Sequence, residues 1–113
     1  NQFVADFIGI SNLLSATATG DYLDFGHTQV PHTHTEKGDV TVVIRPENIE
    51  SGDGSLRAEI TNQFYLGEKV RTYGRLPDDS EIIFDESQTN VQPGDEVSLS
   101  IDPELAQVHP VNK

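Results

Sequence analysis

Cysteine is absent from this chain of 113 residues. Its absence excludes disulfide scaffolds and cysteine-based zinc sites. Lysine is scarce, with Lys37, Lys69 and Lys113 the only examples. No run approaches the roughly 18 apolar residues of a membrane span, and no signal-peptide pattern is visible. There is no Gly-x-x-x-x-Gly-Lys-Ser/Thr loop to cradle phosphates. No nucleophile elbow organises the serines and histidines, and no glycine-bent loop of oxygens is written for calcium. The acidic stretch Asp78, Asp79, Glu81, Asp85 and Glu86 therefore reads as a solvated face. No catalytic residue, cofactor-binding residue or metal ligand is assigned.

What is abundant is carboxylate. Nineteen acidic residues face seven basic ones, for a net charge of -12. Such a surface repels phosphate backbones and anionic headgroups, which argues against nucleic acid and direct membrane binding. Phe64, Tyr65 and Tyr73 near Arg71 and Arg75 are the pieces a nucleic-acid-binding barrel would use. The net charge opposes that use, and aromatics in small barrels are expected to pack the core. Few lysines and many carboxylates also fit a high-salt cytoplasm, where salt screens self-repulsion. A single domain of this length buries roughly 65% of the surface its unfolded chain exposes.

Along the chain, Phe3-Val4-Ala5-Asp6-Phe7-Ile8-Gly9 carries helical spacing, with Gly9 suited to the position after a helix end. The chain opens with Asn1 inside this pattern, as expected of a fragment excised from something larger. The rest reads as β. Residues 13–19 and 22–25 flank the tight-turn dipeptide Gly20-Asp21. Residues 26–38 are polar and read as a loop. Val40, Val42 and Ile44 alternate with Thr41, Val43 and Arg45 in a strand that Pro46 ends. A second loop is expected over residues 50–54. Leu56, Ala58 and Ile60 alternate next, residues 65–68 break that strand, and residues 70–76 continue. A turn at 77–80 leads to a short strand at 81–84. Pro93-Gly94 sets a type II turn, and Val97, Leu99 and Ile101 alternate after it. Asp102-Pro103-Glu104 ends that strand, with a final short strand expected near Val108. Seven or eight short strands with glycine and proline turns predict an all-β fold of one or two small OB-type barrels.

The order of these pieces resembles the TOBE domain, the transport-associated OB-fold at the C-terminus of ATP-binding subunits of ABC importers. Four features carry the resemblance. Residues 3–9 followed by Asn12-Leu13 look like the junction with an ATPase domain. Arg45-Pro46-Glu47 looks like the family's Arg-Pro-Glu strand end. Phe64-Tyr65-Leu66-Gly67 is similar to its aromatic/apolar-Leu-Gly turn. Pro93-Gly94-Asp95 with Ile101-Asp102-Pro103-Glu104 looks like its terminal strand. Two departures stand. The Ser-Pro-x-Met-Asn of sugar-type importers is replaced by Ile10-Ser11-Asn12, as in importers for polyamines, ferric iron or oxyanions, and residues 26–38 have no family pattern.

The resemblance implies residues 1–11 as the end of a helix and linker. It also implies a β-domain over 12–113, divided at 45/46. The implied role is regulatory and dimerising, within a cytoplasmic ATP-binding subunit bound to membrane subunits and paired with a second copy. The parent would use ATP and Mg; this fragment needs no cofactor and is not itself an enzyme. The alternative is sensing of a small oxyanion by hydroxyls such as Thr17, Thr19, Ser98 and Ser100.

Two local questions remain open at this stage. His32 and His34 share a strand face, with His27 five residues before, a spacing that raises zinc or nickel. An exposed polar loop is the plainer account. Arg45 and Glu47 make either an interdomain or intersubunit ion pair or a brace for their own turn, and surface pairs contribute only ~0–1 kcal/mol.

Overall fold

A computed structural model describes residues 11–33 and 37–111. Within them the chain is all-β, with nine strands and two single 3-10 turns. The expected helix over residues 3–9 lies outside the described residues.

The strands are β1 (Asn12–Ala18), β2 (Tyr22–Asp24), β3 (Gln29–Pro31), β4 (Gly38–Ile44), β5 (Ile49–Tyr65), β6 (Val70–Arg75), β7 (Glu81–Glu86), β8 (Glu96–Ile101) and β9 (Gln107–Pro110). They form a five-stranded sheet, β3-β2-β1-β4-β9, and a four-stranded sheet, β7-β6-β5-β8. Every pairing is antiparallel. The curled sheets match the OB-type expectation. The chain crosses between sheets through the 3-10 turn Pro46–Asn48, and β9 later returns to pair with β4.

Alternation fixes which side of each sheet is inside. Leu14, Ala16 and Ala18 on β1 and Val40, Val42 and Ile44 on β4 are buried. They meet Ile49, Leu56, Ala58 and Ile60 of β5, Ile82 and Phe84 of β7, and Leu99 of β8 in one continuous cluster. Each fully buried side chain of this size stabilises by roughly 1.5–3 kcal/mol. On β8 only Leu99 is fully inside; Val97 and Ile101 are partly covered.

Three expectations about loops and strand ends are corrected. Residues 26–38 contain β3, a three-residue edge strand whose Val30 is buried against the core side. Pro31 is tolerated because an edge strand leaves one side unpaired. Residues 50–54 do not leave the sheet as a loop; they belong to the 17-residue β5. Ser51 and Leu56 both oppose Leu99, so residues 52–55 bulge out of the ladder. Gly54 sits so close to the Leu99 backbone that a Cβ would collide with its carbonyl. Finally, β7 runs to Glu86 and does not stop at Phe84.

The sheets are joined by one buried side chain, that of Asn12 at the start of β1. Its Oδ1 accepts the Ile83 N–H at 2.7 Å. Its Nδ2 donates to the Ile83 carbonyl at 2.8 Å and the Ile44 carbonyl at 3.2 Å. The carboxamide thus stands in for a peptide unit beside β7, an edge strand that would otherwise present unpaired groups. Replacing Asn12 with Ala leaves the Ile83 N–H and C=O buried without partners. Asn12→Ala is expected to lower unfolding stability by roughly 2–4 kcal/mol, read as a lower urea midpoint at unchanged slope.

Candidate functional site

The Arg45-Pro46-Glu47 sequence lies where the chain leaves the five-stranded sheet. Pro46 cannot continue the ladder, is buried, and opens the 3-10 turn that packs on β7. Arg45 Nε donates to Glu47 Oε2 at 2.8 Å across it. That hydrogen bond holds the Glu47 carboxyl below the usual carboxylate range. Both side chains are about half exposed. The pair therefore braces its own turn, the simpler of the two roles considered from sequence.

Behind this turn sits a buried acid that the sequence pattern had placed in solvent. Asp85 on β7 is buried and lies directly across from Arg71 on β6. Arg71 donates to both carboxylate oxygens, at 2.9 and 2.8 Å, and Lys69 Nζ lies 3.2 Å away. The two-pronged Arg71 contact holds the Asp85 carboxyl below its ordinary range, against the burial that pushes it up. Glu86 also differs from a free surface acid: it accepts from the Ser51 backbone and hydroxyl, at 3.0 and 2.9 Å. On β7, Ile82 and Phe84 face the core, and Asp85 lies on the other side of the strand. The 3-10 turn covers that second side as well. Asp78 fits the solvated description; its carboxyl is lowered chiefly by the Ser80 hydroxyl.

Leu66 and Gly67 form the tip of the β5–β6 hairpin. The Leu66 N–H donates to the Lys69 carbonyl at 2.8 Å, and Gly67 takes a φ of +74°, which favours glycine. The aromatics here are not core residues: Tyr65 is 75% exposed and Phe64 51%. Phe64 rests edge-on against Tyr73 with centroids 5.6 Å apart. The neighbouring guanidiniums are occupied, Arg71 by Asp85 and Arg75 by Glu59 at 2.7 Å. A phosphate backbone would find them already neutralised.

Pro93, Gly94 and Asp95 make the turn into β8. Asp95 N–H donates to the Gln92 carbonyl, and Gly94 has a φ of +97°. The turn is clipped to β5: Gly94 donates to the Ile60 carbonyl and Ile60 to the Asp95 carbonyl, both at 2.8 Å. This clip falls at the second irregularity of β5, between Ile60 and Asn62. The structure thus links Arg45-Pro46-Glu47 and the base of the Leu66-Gly67 hairpin through Asp85 and Lys69. Pro93-Gly94-Asp95 fastens separately to Ile60.

The other sequence candidates do not converge. His27 Nε2 accepts the Arg57 N–H at 3.2 Å, and His34 lies outside the described residues. Among the described residues no group of three His, Cys, Asp or Glu is placed to hold a metal. Thr17 and Thr19 belong to the first sheet side, and Ser98 and Ser100 to the second. The Thr17 hydroxyl faces Asp39 at 3.5 Å. Thr19 is engaged by Tyr22, and Ser100 donates to the Glu50 carbonyl. An open cleft of about 490 Å³ beside Thr17 is lined by Asp24, Asp39 and Asp78, a poor setting for an anion. Among the described residues no helix is long and apolar enough to cross a membrane.

The family model described as TOBE domain matches residues 42–108. The spermidine/putrescine import ATP-binding protein of Clostridium acetobutylicum is 31% identical over 111 residues, covering 92% of this chain and 31% of that protein. Its counterpart in Ruegeria pomeroyi is 31% identical over 124 residues, covering 96% and 34%. That of Thermobifida fusca is 32% identical over 130 residues, also covering 96% and 34%. The chain spans about a third of the length of the curated relatives it matches.

Asp85 gives this region a pH signature. A carboxyl lowered in the folded state adds stability that is present above its unfolded value of about 3.9 and is lost as pH falls below it. Asp85→Asn leaves Arg71 without its carboxylate and is expected to cost roughly 2–4 kcal/mol at neutral pH. The gap between wild type and Asp85→Asn should narrow as the medium is acidified through the carboxylate range. Urea unfolding across a pH series reads it directly; a gap that widens in acid contradicts the assignment.

Proposed function

The chain belongs to the TOBE domain family, and from that membership we propose that it is the regulatory and dimerising domain of an ATP-binding subunit that powers an ABC importer. It works by contact and not by chemistry. Its partners are its own ATPase domain, a second copy of the subunit, and through them the transporter's membrane subunits on the cytoplasmic face. ATP and Mg belong to the ATPase domain. The relatives are named spermidine/putrescine import ATP-binding proteins, so the cargo class favoured is the polyamines.

The observation that carries this reading is the extent of the match. Similarity to relatives about three times as long would be weak evidence if it touched one motif. Here it runs over more than nine-tenths of the chain in each of these relatives, and the family match runs from β4 into β9. The fold supplies what a contact domain needs. Two sheets are pinned together by Asn12. The crossing at Arg45-Pro46-Glu47 is braced by its own ion pair and seated on β7.

A domain exchange tests the reading. The matching third of the Clostridium acetobutylicum protein is replaced by this chain and expressed with the remaining transporter subunits. Spermidine uptake is expected to exceed that of the version lacking the third altogether. A hybrid that folds and hydrolyses ATP but takes up no more spermidine than the truncated protein refutes it.

A further inference from the structure

Besides Asn12, a second side chain reaches from the first sheet to the backbone of the other, and it is a histidine. The turn between β2 and β3 is closed locally. Phe25 N–H donates to the Thr28 carbonyl and Gly26 N–H to Asp24 Oδ1, both at 2.8 Å. Phe25 packs partly buried against the core. The turn so held presents His27 to β5, where its Nε2 accepts the Arg57 N–H at 3.2 Å. The register explains why that N–H needs an acceptor. Ile60 turns its N–H and C=O to the Gly94-Asp95 segment that leads into β8. Backbone groups alternate sides along a strand, so Glu59 and Arg57 face the β6 side. Glu59 pairs with Arg75, the last residue of β6. Arg57 would fall opposite Pro77, which lies in the following turn and has no N–H. The ladder has ended there, and the imidazole supplies the acceptor that β6 no longer provides.

We propose that His27 is a pH-operated clasp, which holds the β2–β3 turn on β5 when the ring is neutral and releases it when the ring is protonated. Imidazolium carries two N–H donors and no acceptor, so it cannot take the Arg57 N–H and instead sets donor against donor. Histidine is the side chain whose charge changes between about pH 5 and 8. The charged groups around it decide where the ring goes. The Arg57 guanidinium is held by Glu96 at 3.1 Å, so that pair is neutral as a unit. Asp24 precedes the turn on β2, and Asp78 stands on the β6–β7 turn. The Asp78 carboxyl is lowered chiefly by Ser80 and in small part by His27. These two carboxylates favour the cation, and Asp78 draws it away from Arg57. Asp24, Phe25 and Gly26 line one side of the cleft of about 490 Å³, and Asp78 lines it from the β6–β7 turn. Releasing the clasp therefore frees one wall of this cleft. Asn12 does not titrate in this range, so the sheets stay joined and the change is confined to the β2–β3 hairpin.

Amide NMR of the chain between about pH 5 and 8 tests the proposal. The Arg57 amide shift should follow the His27 ring on one midpoint. Its protection from hydrogen exchange, corrected for the intrinsic effect of pH, should fall roughly fivefold in acid. His27→Gln keeps an acceptor at every pH, and its Arg57 amide should stay protected with a flat shift. His27→Ala removes the acceptor, and its Arg57 amide should be unprotected throughout. An Arg57 amide that ignores the His27 titration in the wild type overturns the proposal. An equal response in His27→Gln assigns the change to another group and overturns it as well. Full protection of Arg57 in His27→Ala at neutral pH shows that the clasp does not exist.

Discussion

One buried carboxamide ties the two sheets together, with two hydrogen bonds across to Ile83 and a third to Ile44 in its own sheet. Hydrophobic contact between the inner faces is non-directional and tolerates sliding. The Asn12 amide is directional: it must meet the Ile83 N–H and C=O at once while also reaching the Ile44 carbonyl. The paired bonds to the Ile83 N–H and C=O fix Asn12 beside that residue of β7. The chain position of Asn12 matters as well. It opens β1, directly across from Ile44, the residue at which β4 ends. Start of one strand, end of another and edge of the opposite sheet are thereby tied at one point.

From that joint outward, three of the turns singled out in the sequence are best understood as fasteners. Arg45-Pro46-Glu47 turns the chain out of the first sheet immediately after Ile44. Asp85 then receives Arg71 and Lys69 beneath that turn. Pro93-Gly94-Asp95 closes onto Ile60 where β5 loses its regular register. The first is held by side-chain pairs and the last by backbone hydrogen bonds to Ile60. The chemistry of these residues is thus spent on shape.

The parts visible in the sequence are those governed by neighbours in the chain. The alternation of Val40, Val42 and Ile44, and of Leu56, Ala58 and Ile60, gave the buried sides correctly. Pro93-Gly94 gave its turn. What escaped depends on distant residues. β3 is three residues long and contains Pro31, so no period can mark it. Gly52-Asp53-Gly54 has the composition of a loop, yet pairing with β8 on either side keeps it within β5. Asp85 looked like one acid among five until the cross-strand Arg71 and the covering 3-10 turn were placed. The motif positions at Arg45-Pro46-Glu47, Leu66-Gly67 and Pro93-Gly94-Asp95 were legible as turns. That Lys69 and Asp85 connect the first two could not be read without the fold. The exposure of Phe64 and Tyr65 was likewise invisible, because aromatics follow the β pattern whether or not anything covers them.

The return of β9 to the first sheet has a consequence in time. Val40 pairs with Pro110 and Val43 with Gln107, so this edge is closed by residues more than sixty positions downstream. Contacts so far apart in the chain form slowly, because a long loop must be closed before they contribute. During synthesis, β1 and β4 can pair early, but β4 keeps an open flank until the ribosome has delivered the whole second sheet. For that interval the growing chain carries an unprotected strand edge rich in valine, the kind of surface on which nascent chains aggregate. Translation speed across β5 to β8, and whatever shelters the emerging chain, therefore bear on the yield of folded protein.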